Sequence, residues 1–536
     1  LVERLFSYVE REGANLDDFL IITYTRAAAS ELRGKIAKAL TERMERDPGN
    51  YHLRQQMLRV YRADIKTVDA FCTALLRENC HLLGEDARGH ALRPDFRVLD
   101  ENEAQVLRER VLARTLDDFY GRLTTGSTLL ADTLGAGRDD SALEDLVLEL
   151  HAKLQAQPYE DKWLEAQRAF WRAVPDKIED TPYGKILLNE VRRKARHCKN
   201  LLQRAAQEMC ANDALNQKYA PAFLDASYQL EALEGKTAEG WDAARGVTIA
   251  FPRLAAVKDS DGGEMKARMK SLWDNCKETV KGFAEIFSAS SDEAVEDLRT
   301  MASAMLALID LTADFSRRYN EEKRRRNSAD FSDQEHEAIR LLIGEDGAPT
   351  ELARIVSARY REIMVDEYQD TNEVQNRIFD AISCKGQNLF TVGDVKQSIY
   401  RFRLADPRIF LQHYNTWPPL EDAEEHDSAK LLLSRNFRSR KEVLDATNFI
   451  FCNILSEEMG ELDYGADEML RLGANYVESS ACGAEFHLLD LPTQTGEQRV
   501  RASEAEAAFV ADHISNMLTS EFPIQDDKTK ELRPVC

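Results

Sequence analysis

The nine residues Ile363-Met364-Val365-Asp366-Glu367-Tyr368-Gln369-Asp370-Thr371 decide the fold class of this chain. A short apolar run of this kind is typical of a buried parallel strand, and it delivers two adjacent carboxylates at its C-terminal end. Ligands bind at that end of the strands in open α/β sheets. Adjacent acids there can divide the work of phosphoryl transfer, because one can hold Mg²⁺ through water while the other positions an attacking water. The alternative, a pair of solvated acids in a loop, is disfavoured by the strand that precedes them.

Strand and helix signals alternate on both sides of this string. Residues 19–24 (FLIITY) form a short apolar run rich in β-branched residues, and Thr25 opens a helical run. Strands separated by helices indicate an α/β fold with a parallel sheet. Further strands are predicted at 65–67, 361–366, 388–394, 430–433 and 485–491, and further helices at 70–78 and 441–455.

Residues 101–310 differ in character from the segments around them. Long stretches show helical periodicity with high charge and few breakers, and the clusters at 259–263 and 288–291 are predicted loops. This part of the sequence contains no motif with chemical content. We therefore expect a helical insertion within the α/β part of the chain.

The composition excludes several classes of protein. The chain has 536 residues, with 71 Lys and Arg against 94 Asp and Glu, a net charge of −23, and only 25 Gly and 14 Pro. Collagenous, disordered and disulfide-scaffold classes are excluded, and a surface that binds nucleic acid over its whole extent is disfavoured, whereas a local basic groove is not. The nine cysteines are odd in number and show no C-x-x-C spacing, which favours reduced thiols in a cytoplasm. No apolar stretch approaches the length of a membrane span. The first residues lack the layout of a signal peptide and begin within an amphipathic helical pattern.

A second string, residues 392–403, includes the end of the strand predicted at 388–394. Gly393 allows a tight turn, and Gln397 is a polar group able to contact a phosphate. Aromatic residues then alternate with arginines, which is typical of single-strand binding, in which bases stack on rings and phosphates meet cations. The alternative is that these rings belong to an ordinary core. The alternating residues are Tyr400, Arg401, Phe402 and Arg403.

A third string, Asn436-Phe437-Arg438-Ser439, lies between a predicted strand and a predicted helix. An arginine at a helix start can meet a phosphate, and the preceding ring can stack on a base. Taken alone, this string is more typical of a surface loop.

In this order, the strings resemble superfamily 1 DNA helicases of the UvrD/Rep type. Residues 20–33 (LIITYTRAAASELR) resemble that family's motif Ia, and residues 65–71 (IKTVDAF) resemble the next DNA-contact motif. The resemblance covers nearly the whole chain, although 101–310 matches only in position and helical character. Three strings point to the AddA/RecB branch: residues 94–100 (PDFRVLD), 330–333 (DFSD) and 396–403 (KQSIYRFR).

The resemblance implies a RecA-like P-loop NTPase motor domain with a parallel sheet, a large all-helical insertion and part of a second RecA-like domain. The expected segments are 1–100 for the first part of motor domain 1A and 101–310 for insertion domain 1B. Residues 311–420 would complete domain 1A with the acidic motif, and 421–536 would begin an incomplete domain 2A.

The resemblance also implies roles for particular residues. Asp366 would serve Mg²⁺, and Glu367 would activate the attacking water. Gln397 would sense the γ-phosphate of ATP, Arg438 would reach the same phosphate, and Phe437 would stack on adenine. The implied DNA contacts are Tyr24, Thr25, Arg26, Thr67, Tyr400, Phe402 and Arg403, with a core strand position as the alternative for Tyr24.

Several positions depart from the family's pattern. Asp69 stands where the family usually has His, Arg26 where it has Asn, Leu404 where Gly is common, and Phe437 where it often has Tyr. The sequence contains no phosphate-cradling G-x-x-x-x-G-K-[ST] loop, and it stops at Cys536, before the family's motifs V and VI. We therefore expect an incomplete helicase, a fragment that is inactive alone.

By resemblance, the parent protein would be an ATP-dependent 3′–5′ DNA translocase of the AddAB type, acting in double-strand break repair and recombination. ATP and Mg²⁺ would be its cofactors, and single-stranded or double-stranded DNA ends its substrates. An AddB-like nuclease subunit would be its partner in a heterodimer of the bacterial cytoplasm, with a C-terminal exonuclease domain and no membrane association. Two alternatives stay open: a UvrD/PcrA-like repair helicase without nuclease, and a catalytically inactive fragment that binds DNA or a partner.

A basic run, Arg317-Arg318 and Lys323-Arg324-Arg325-Arg326, follows the insertion. One interpretation is a contact with the DNA backbone. The other is a solvated helix face whose cations pair with Glu321 and Glu322.

Overall fold

The computed structural model describes residues 1–85, 88–122, 124–134, 141–383, 386–424, 427–477, 483–491, 501–526, 529 and 531–535, without the side chains of 259–262, 403 and 458–459. The chain divides into two compact units: residues 1–71 with 342–536, called unit 1, and residues 72–341, called unit 2. This division into two units does not test the bounds of the four segments predicted above, and those bounds stay predictions.

The strands of the described residues form one four-stranded sheet and three two-stranded sheets. The four-stranded sheet has the order β2-β1-β5-β6, and all its strands run parallel. The strands are β1 (Phe19–Thr23), β2 (Asp64–Thr67), β3 (Arg97–Val98), β4 (Ser328–Ala329), β5 (Glu362–Val365), β6 (Leu389–Thr391), β7 (Arg435–Asn436), β8 (Arg471–Leu472), β9 (Pro523–Gln525) and β10 (Leu532–Pro534).

Helices make up most of the rest of the described chain. They are α1 (Val2–Arg11), α2 (Arg26–Arg46), α3 (Tyr51–Arg59), α4 (Val68–Asn79), α5 (Glu101–Tyr120), α6 (Thr125–Leu134), α7 (Ser141–Gln155), α8 (Glu160–Arg172), α9 (Pro182–Met209), α10 (Asp213–Lys218), α11 (Ala220–Lys236), α12 (Trp241–Arg245), α13 (Asp259–Ile286), α14 (Ser291–Arg325), α15 (Phe331–Leu342), α16 (Glu351–Arg359), α17 (Glu373–Ile382), α18 (Pro407–Thr416), α19 (Lys441–Ile454), α20 (Glu457–Gly460) and α21 (Ala502–Thr519).

The parallel sheet of unit 1 confirms the predicted α/β fold. All residues of β1 and β5 are buried, as expected for apolar strands covered on both faces. On one face, Phe6 of α1 and Ile36 of α2 share an apolar cluster with Phe19, Ile21 and Met364 of the strands. Because the four strands run in the same direction, their carboxyl ends meet along one edge of the sheet.

Within its described residues, unit 2 is mainly helical, and its β structure consists of the short parallel pair of β3 and β4 and a bridge between Glu85 and Ala91. Its helices bury apolar stripes with a spacing of three and four residues, as expected for helices packed on one another. Helix α9, for example, buries Leu188, Val191, Ala195, Cys198 and Leu202. In the part of the chain that the structure describes, no helix combines the length and the apolarity of a membrane span.

A buried group of charges joins α14 to α15. Lys323 is 1% exposed, and its Nζ lies 2.9 Å from Asp330 Oδ2 and 2.7 Å from Asp333 Oδ1. The Tyr319 hydroxyl donates to the same Asp330 oxygen at 2.9 Å. Burial alone would raise the pKa of Asp330, but the charge of Lys323 and these hydrogen bonds hold it below its usual value. The two acids of the 330–333 string therefore fix the end of a long helix.

His151 of α7 is buried beside this group. Its ring centroid lies 5.0 Å from that of Phe315 and 5.7 Å from that of Tyr319. Neither ring nitrogen has a hydrogen-bond partner among the residues described. Burial, reinforced by the charge of Lys323, lowers the pKa of His151 to about 3. The folded protein therefore holds this ring neutral at physiological pH.

Three predicted elements are wrong. Residues 430–433 form no strand beyond a single bridge between Lys430 and Pro419, and Leu433 is 82% exposed. Residues 485–491 also form no strand, and Phe486 is 90% exposed. Both runs have the apolar pattern of a strand, but within the described ranges neither pairs along its length with another strand. The loop predicted at 259–263 is helical in its backbone from Asp259 and breaks only at Gly263, with φ of 47°.

Candidate nucleotide and nucleic-acid site

The acidic pair follows β5 at the carboxyl edge of the parallel sheet. The backbone N–H of Asp366 still donates to Ile22 O at 3.0 Å, which continues the pairing of β5 with β1 by one residue. Glu367 then adopts the left-handed conformation, with φ of 53° and ψ of 42°. For a side chain other than glycine this conformation costs about 1 kcal/mol or more, and such strain concentrates at functional sites. The strained residue ends the strand and sets the direction of the Glu367 carboxylate.

Asp366 is suited to hold a cation. It is half-buried, and burial together with the negative charge of Glu367 raises its pKa. A divalent cation would offset both effects, and carboxylate oxygens are the ligands that Mg²⁺ takes in phosphate-transferring sites. The residues present therefore fit the predicted metal.

A chain of hydrogen bonds joins Glu367 to Gln397. Gln369 Nε2 donates to Glu367 Oε2 at 2.8 Å, and Gln369 Oε1 accepts from the Asp394 backbone N–H at 2.9 Å. Asp394 Oδ2 in turn accepts from Gln397 Nε2 at 3.0 Å. The predicted water-activating residue and the predicted phosphate sensor are thus linked through two residues that the sequence analysis did not single out.

Gln369 and Asp394 were missed because both lie within strings chosen for other residues. Gln369 is 1% exposed, and a buried amide usually has partners on both of its polar atoms. The sequence gives its position two residues after Glu367 but not its burial. Gly393 permits the contact, because a Cβ at that position would lie 2.7 Å from Gln369 Oε1.

Phe437 and Arg438 follow β7, and the structure records no contact between them and the acidic pair in the described residues. Phe437 is 68% exposed, and its ring lies so close to Gly473 that a Cβ on the glycine would be 2.8 Å away. One side of the ring is therefore braced while most of it stays accessible, which fits stacking on a base. Arg438 is exposed, and its backbone N–H donates to Asn436 Oδ1 at 2.9 Å. The pKa of Glu31 in α2 is lowered chiefly by its ion pair with Lys35 and further by the charge of Arg438.

Two of the predicted DNA-contact aromatics, Tyr24 and Tyr400, line one cavity at the same edge of the sheet. This cavity, called the Tyr24–Tyr400 pocket, measures about 170 Å³. Tyr24 lies just beyond β1 and is half-buried, and its hydroxyl forms a short hydrogen bond with Thr371 Oγ1. The remaining lining residues are Thr25, Val68, Asp69, Asp370, Asn372 and Gln375.

The two predicted threonines cap helices. Thr25 Oγ1 accepts from the Ala28 backbone N–H at 3.0 Å at the start of α2, and Thr67 Oγ1 accepts from Ala70 at 3.2 Å at the start of α4. N-cap hydroxyls of this kind typically stabilise a helix by about 1 kcal/mol. Both hydroxyls therefore have a structural task whatever else they contact.

The remaining predicted DNA contacts are mostly exposed. Arg26 is exposed at the start of α2. Phe402 is 75% exposed, with its ring centroid 5.8 Å from that of Tyr400. The side chain of Arg403 lies outside what the structure describes.

Two departures from the family's pattern have visible consequences. Burial raises the pKa of Asp69, against the opposing charge of Arg26. Leu404, where glycine is common in the family, adopts φ of 66°, so the backbone here has the conformation that glycine favours.

The basic run at 317–326 is internally paired. Lys323 is buried as described above, Arg324 pairs with Glu337, and Arg325 and Arg326 both pair with Glu322. Arg317 pairs with Asp314 and Glu321, and Arg318 pairs with Asp118 and Asp314. The structure therefore favours the paired helix face over a contact with the DNA backbone.

Comparison with known proteins identifies a protein family that this chain matches. A family model described as the UvrD/REP helicase N-terminal domain matches residues 1–418. The chain is similar to the A subunit of the ATP-dependent helicase/nuclease of Ruminiclostridium cellulolyticum, with 33% identity over 100% of this chain and 43% of that protein. Proteins of the same description from Acetivibrio thermocellus (34% identity, 94% of this chain, 42% of that protein) and Listeria innocua (32% identity, 100% of this chain, 44% of that protein) are similar too. The chain spans less than half the length of these relatives.

Proposed function

The chain belongs to the UvrD/REP helicase family, and on this premise we propose that it supplies ATP-hydrolysing and DNA-contacting residues to an ATP-dependent DNA helicase of the helicase/nuclease type. In this proposal, Asp366, Glu367, Gln397 and Arg438 serve ATP hydrolysis. The Tyr24–Tyr400 pocket and Phe402 receive bases of single-stranded DNA.

The hydrogen-bond chain from Glu367 through Gln369 and Asp394 to Gln397 carries the proposal. ATP with Mg²⁺ would supply the phosphoryl group and the charge neutralisation for its transfer. Asp366 would hold the cation, and the Glu367 carboxylate would orient water and accept its proton. A change at Gln397 would reach Glu367 through two hydrogen-bonded residues, so phosphate sensing and water activation would be coupled.

The same segment connects the nucleotide residues to the DNA residues. Gln397 lies three positions before Tyr400 in the chain, and Tyr400 lines the pocket that also holds Tyr24. Asp370, another lining residue, follows Glu367 by three positions. A shift of either short segment would therefore alter both the water-activating carboxylate and the walls of the pocket. This geometry supports the coupling of hydrolysis to movement on single-stranded DNA.

The wider role follows from the relatives. We extend to this chain's parent protein the 3′–5′ polarity, Mg²⁺ dependence, cytoplasmic location and function in double-strand break repair and recombination implied by the resemblance. The relatives' description as one subunit of a helicase/nuclease supports a nuclease activity and a further subunit in the assembled enzyme. The AddB-like identity of that further subunit belongs to the proposal.

The test is ATP hydrolysis stimulated by single-stranded DNA in the protein that carries this chain. We expect Glu367→Gln to lower the stimulated rate by at least about 100-fold, because a positioned general base contributes that much, while ATP and DNA binding change little. Glu42→Gln, on the exposed face of α2, is the matched control and should leave the rate unchanged. An unchanged rate in Glu367→Gln would contradict the proposal. A wild-type protein that binds single-stranded DNA but hydrolyses no ATP would select the non-catalytic binding module instead.

A further inference from the structure

The Tyr24–Tyr400 pocket is small and rich in hydrogen-bond acceptors. Its volume of about 170 Å³ is below the range of sites for drug-sized ligands, so it accommodates a single ring system such as one nucleobase. Two of its lining residues, Asp69 and Asp370, carry carboxylates.

One carboxylate oxygen of Asp370 accepts no hydrogen bond from the described residues. Its Oδ1 is inaccessible to solvent and makes no hydrogen bond to any residue that the structure describes. An unsatisfied buried acceptor is costly, and each such atom in a folded protein calls for an explanation. Because Asp370 lines the pocket, a rotation of its side chain would expose this oxygen to a ligand, and a ligand N–H group would then supply the missing bond.

The neighbouring amides do not offer the same acceptors. Asn372 Oδ1 accepts from the Gln375 backbone N–H at 2.7 Å, and Gln375 Oε1 accepts from the Asn372 backbone N–H at 3.2 Å. This reciprocal capping of α17 occupies both amide oxygens. Each amide oxygen therefore already accepts one hydrogen bond, whereas Asp370 Oδ1 accepts none from the described residues, so this carboxylate has the larger remaining capacity to accept from a ligand.

The ionisation of Asp370 agrees with this arrangement. Burial and the charge of Glu367 raise the pKa of Asp370 to about 6, and burial raises that of Asp69. At pH 7.5 Asp370 is mostly ionised and accepts hydrogen bonds without donating one.

We propose that the Tyr24–Tyr400 pocket selects a nucleobase with an exocyclic amino group (cytosine, adenine or guanine) over thymine, with Asp370 and Asp69 accepting from that group. Carboxylates accept from cytosine N4, whereas thymine presents its O4 acceptor at the equivalent edge and is repelled. This selectivity rests on the proposed binding of single-stranded DNA and adds to it a preference among bases.

The experiment measures binding of the full chain to short labelled oligo(dC) and oligo(dT) by fluorescence anisotropy at pH 7.5 and fixed salt. We expect oligo(dC) to bind about tenfold more tightly, the discrimination of one good base contact. Asp370→Asn should bring the ratio of the two affinities close to one, because an amide can donate to thymine O4. The control Asp422→Asn, at an exposed turn, should keep the wild-type ratio.

A second measurement requires no variant. Replacing each adenine of an oligo(dA) by unsubstituted purine removes only the amino group, and we expect the affinity of the wild-type chain to fall by a similar factor. Equal affinities for oligo(dC) and oligo(dT), or for adenine and purine, would overturn the base preference while leaving DNA binding intact. Failure to bind any of these oligonucleotides would overturn the proposed DNA binding and the preference with it.

Discussion

The side-chain amide of Gln369 joins two segments that follow different strands of the sheet. Its Nε2 donates to the Glu367 carboxylate and its Oε1 accepts from the Asp394 backbone. The segment at Gly393 approaches so closely that a Cβ there would lie 3.2 Å from the backbone N of both Gln369 and Tyr368. Backbone atoms cannot rotate away from such a contact, so a Cβ at this glycine would push the two segments apart by a few tenths of an ångström.

Gly393→Ala should therefore lower the free energy of unfolding of unit 1 by about 1–3 kcal/mol, the usual cost of overpacking. Urea denaturation measures it. Gly34→Ala in α2 is the matched control, because a Cβ at Gly34 meets nothing within 4 Å. That control should raise stability by about 0.5–1 kcal/mol through helix propensity. A Gly393→Ala protein as stable as wild type would show that the segment does not approach Gln369 so closely.

His151 makes a prediction about pH. Its pKa falls from 6.5 to about 3 on folding, so between these values the unfolded state binds more protons than the folded state. The free energy of unfolding should therefore fall as the pH decreases below 6.5. Above 6.5, His151 should make no contribution to the pH dependence of stability. The effect is at most about 1.4 kcal/mol per pH unit.

His151→Phe removes the titrating group and keeps a ring beside Phe315 and Tyr319. We expect the loss of stability between pH 7.5 and pH 5 to be smaller in this variant, by up to about 2 kcal/mol. His197→Phe, on the exposed face of α9, should keep the wild-type pH dependence. Urea denaturation at each pH measures the stability of both proteins. Identical pH profiles for wild type and His151→Phe would contradict the role of His151 in the pH dependence.

At the scale of residues, the sequence predicts where residues lie along a strand better than it predicts the hydrogen bonds between their side chains. Asp366 and Glu367 are predictable because an apolar strand ends immediately before them. The bridge through Gln369 and Asp394 is not, because it depends on how closely two loops approach at Gly393. The threonines Thr25 and Thr67 show the converse, since a position predicted for DNA contact also holds a helix cap.

At the scale of elements, the junction of α14 and α15 depends on one buried amine. Removing the charge of Lys323 leaves Asp330 and Asp333 without their cation in a dry setting, which is more costly than losing an exposed ion pair.

Lys323→Met should lower the free energy of unfolding of unit 2 by about 3–5 kcal/mol. Arg325→Met, two residues away on the same helix, removes an exposed pair with Glu322 and should lower the free energy of unfolding far less. Equal effects of the two substitutions in urea denaturation would show that the buried group is not the main support of the junction.

Elements were predicted correctly where a continuous apolar run coincides with pairing on both sides. β1 and β5 are such strands, and each lies between two partners in the sheet. The runs at 430–433 and 485–491 have the same local pattern. A strand also needs a neighbour at hydrogen-bonding distance, and that neighbour cannot be read from the run itself.

For the whole molecule, the net charge of −23 limits how DNA can be held. The largest basic run in the chain is paired with neighbouring carboxylates, so in the proposed function the phosphate contacts would come from scattered cations such as Arg26. The salt dependence of single-strand binding should accordingly be shallow.

Arg26→Gln should reduce the slope of log affinity against log salt by about 0.7, the contribution of one single-strand phosphate contact. The double variant Arg325→Gln and Arg326→Gln should change the slope by much less than two phosphate contacts would, because both guanidinium groups are held in ion pairs with Glu322. Anisotropy titrations over a range of salt concentrations measure both slopes. A reduced slope in the double variant would restore the DNA-backbone interpretation of the basic run.

At the scale of the molecule, the helical insertion at 101–310 stays a prediction. Unit 2 comprises 72–341, wider than the predicted 101–310, since it includes β3 and β4 on either side of the long helices. Pairing between residues more than 200 positions apart leaves no local pattern in the sequence.

Helix α14 has 35 residues and is roughly 50 Å long, and its last turns are fixed by Lys323. In mechanical terms, this helix is stiff, and the ion pairs of Lys323 hold its C-terminal end. A force pulling the chain beyond residue 326 would load the two ion pairs of Lys323 together, because one amine holds both carboxylates. Opening either ion pair would weaken the hold of the same amine on the other, so we expect the two ion pairs to open together.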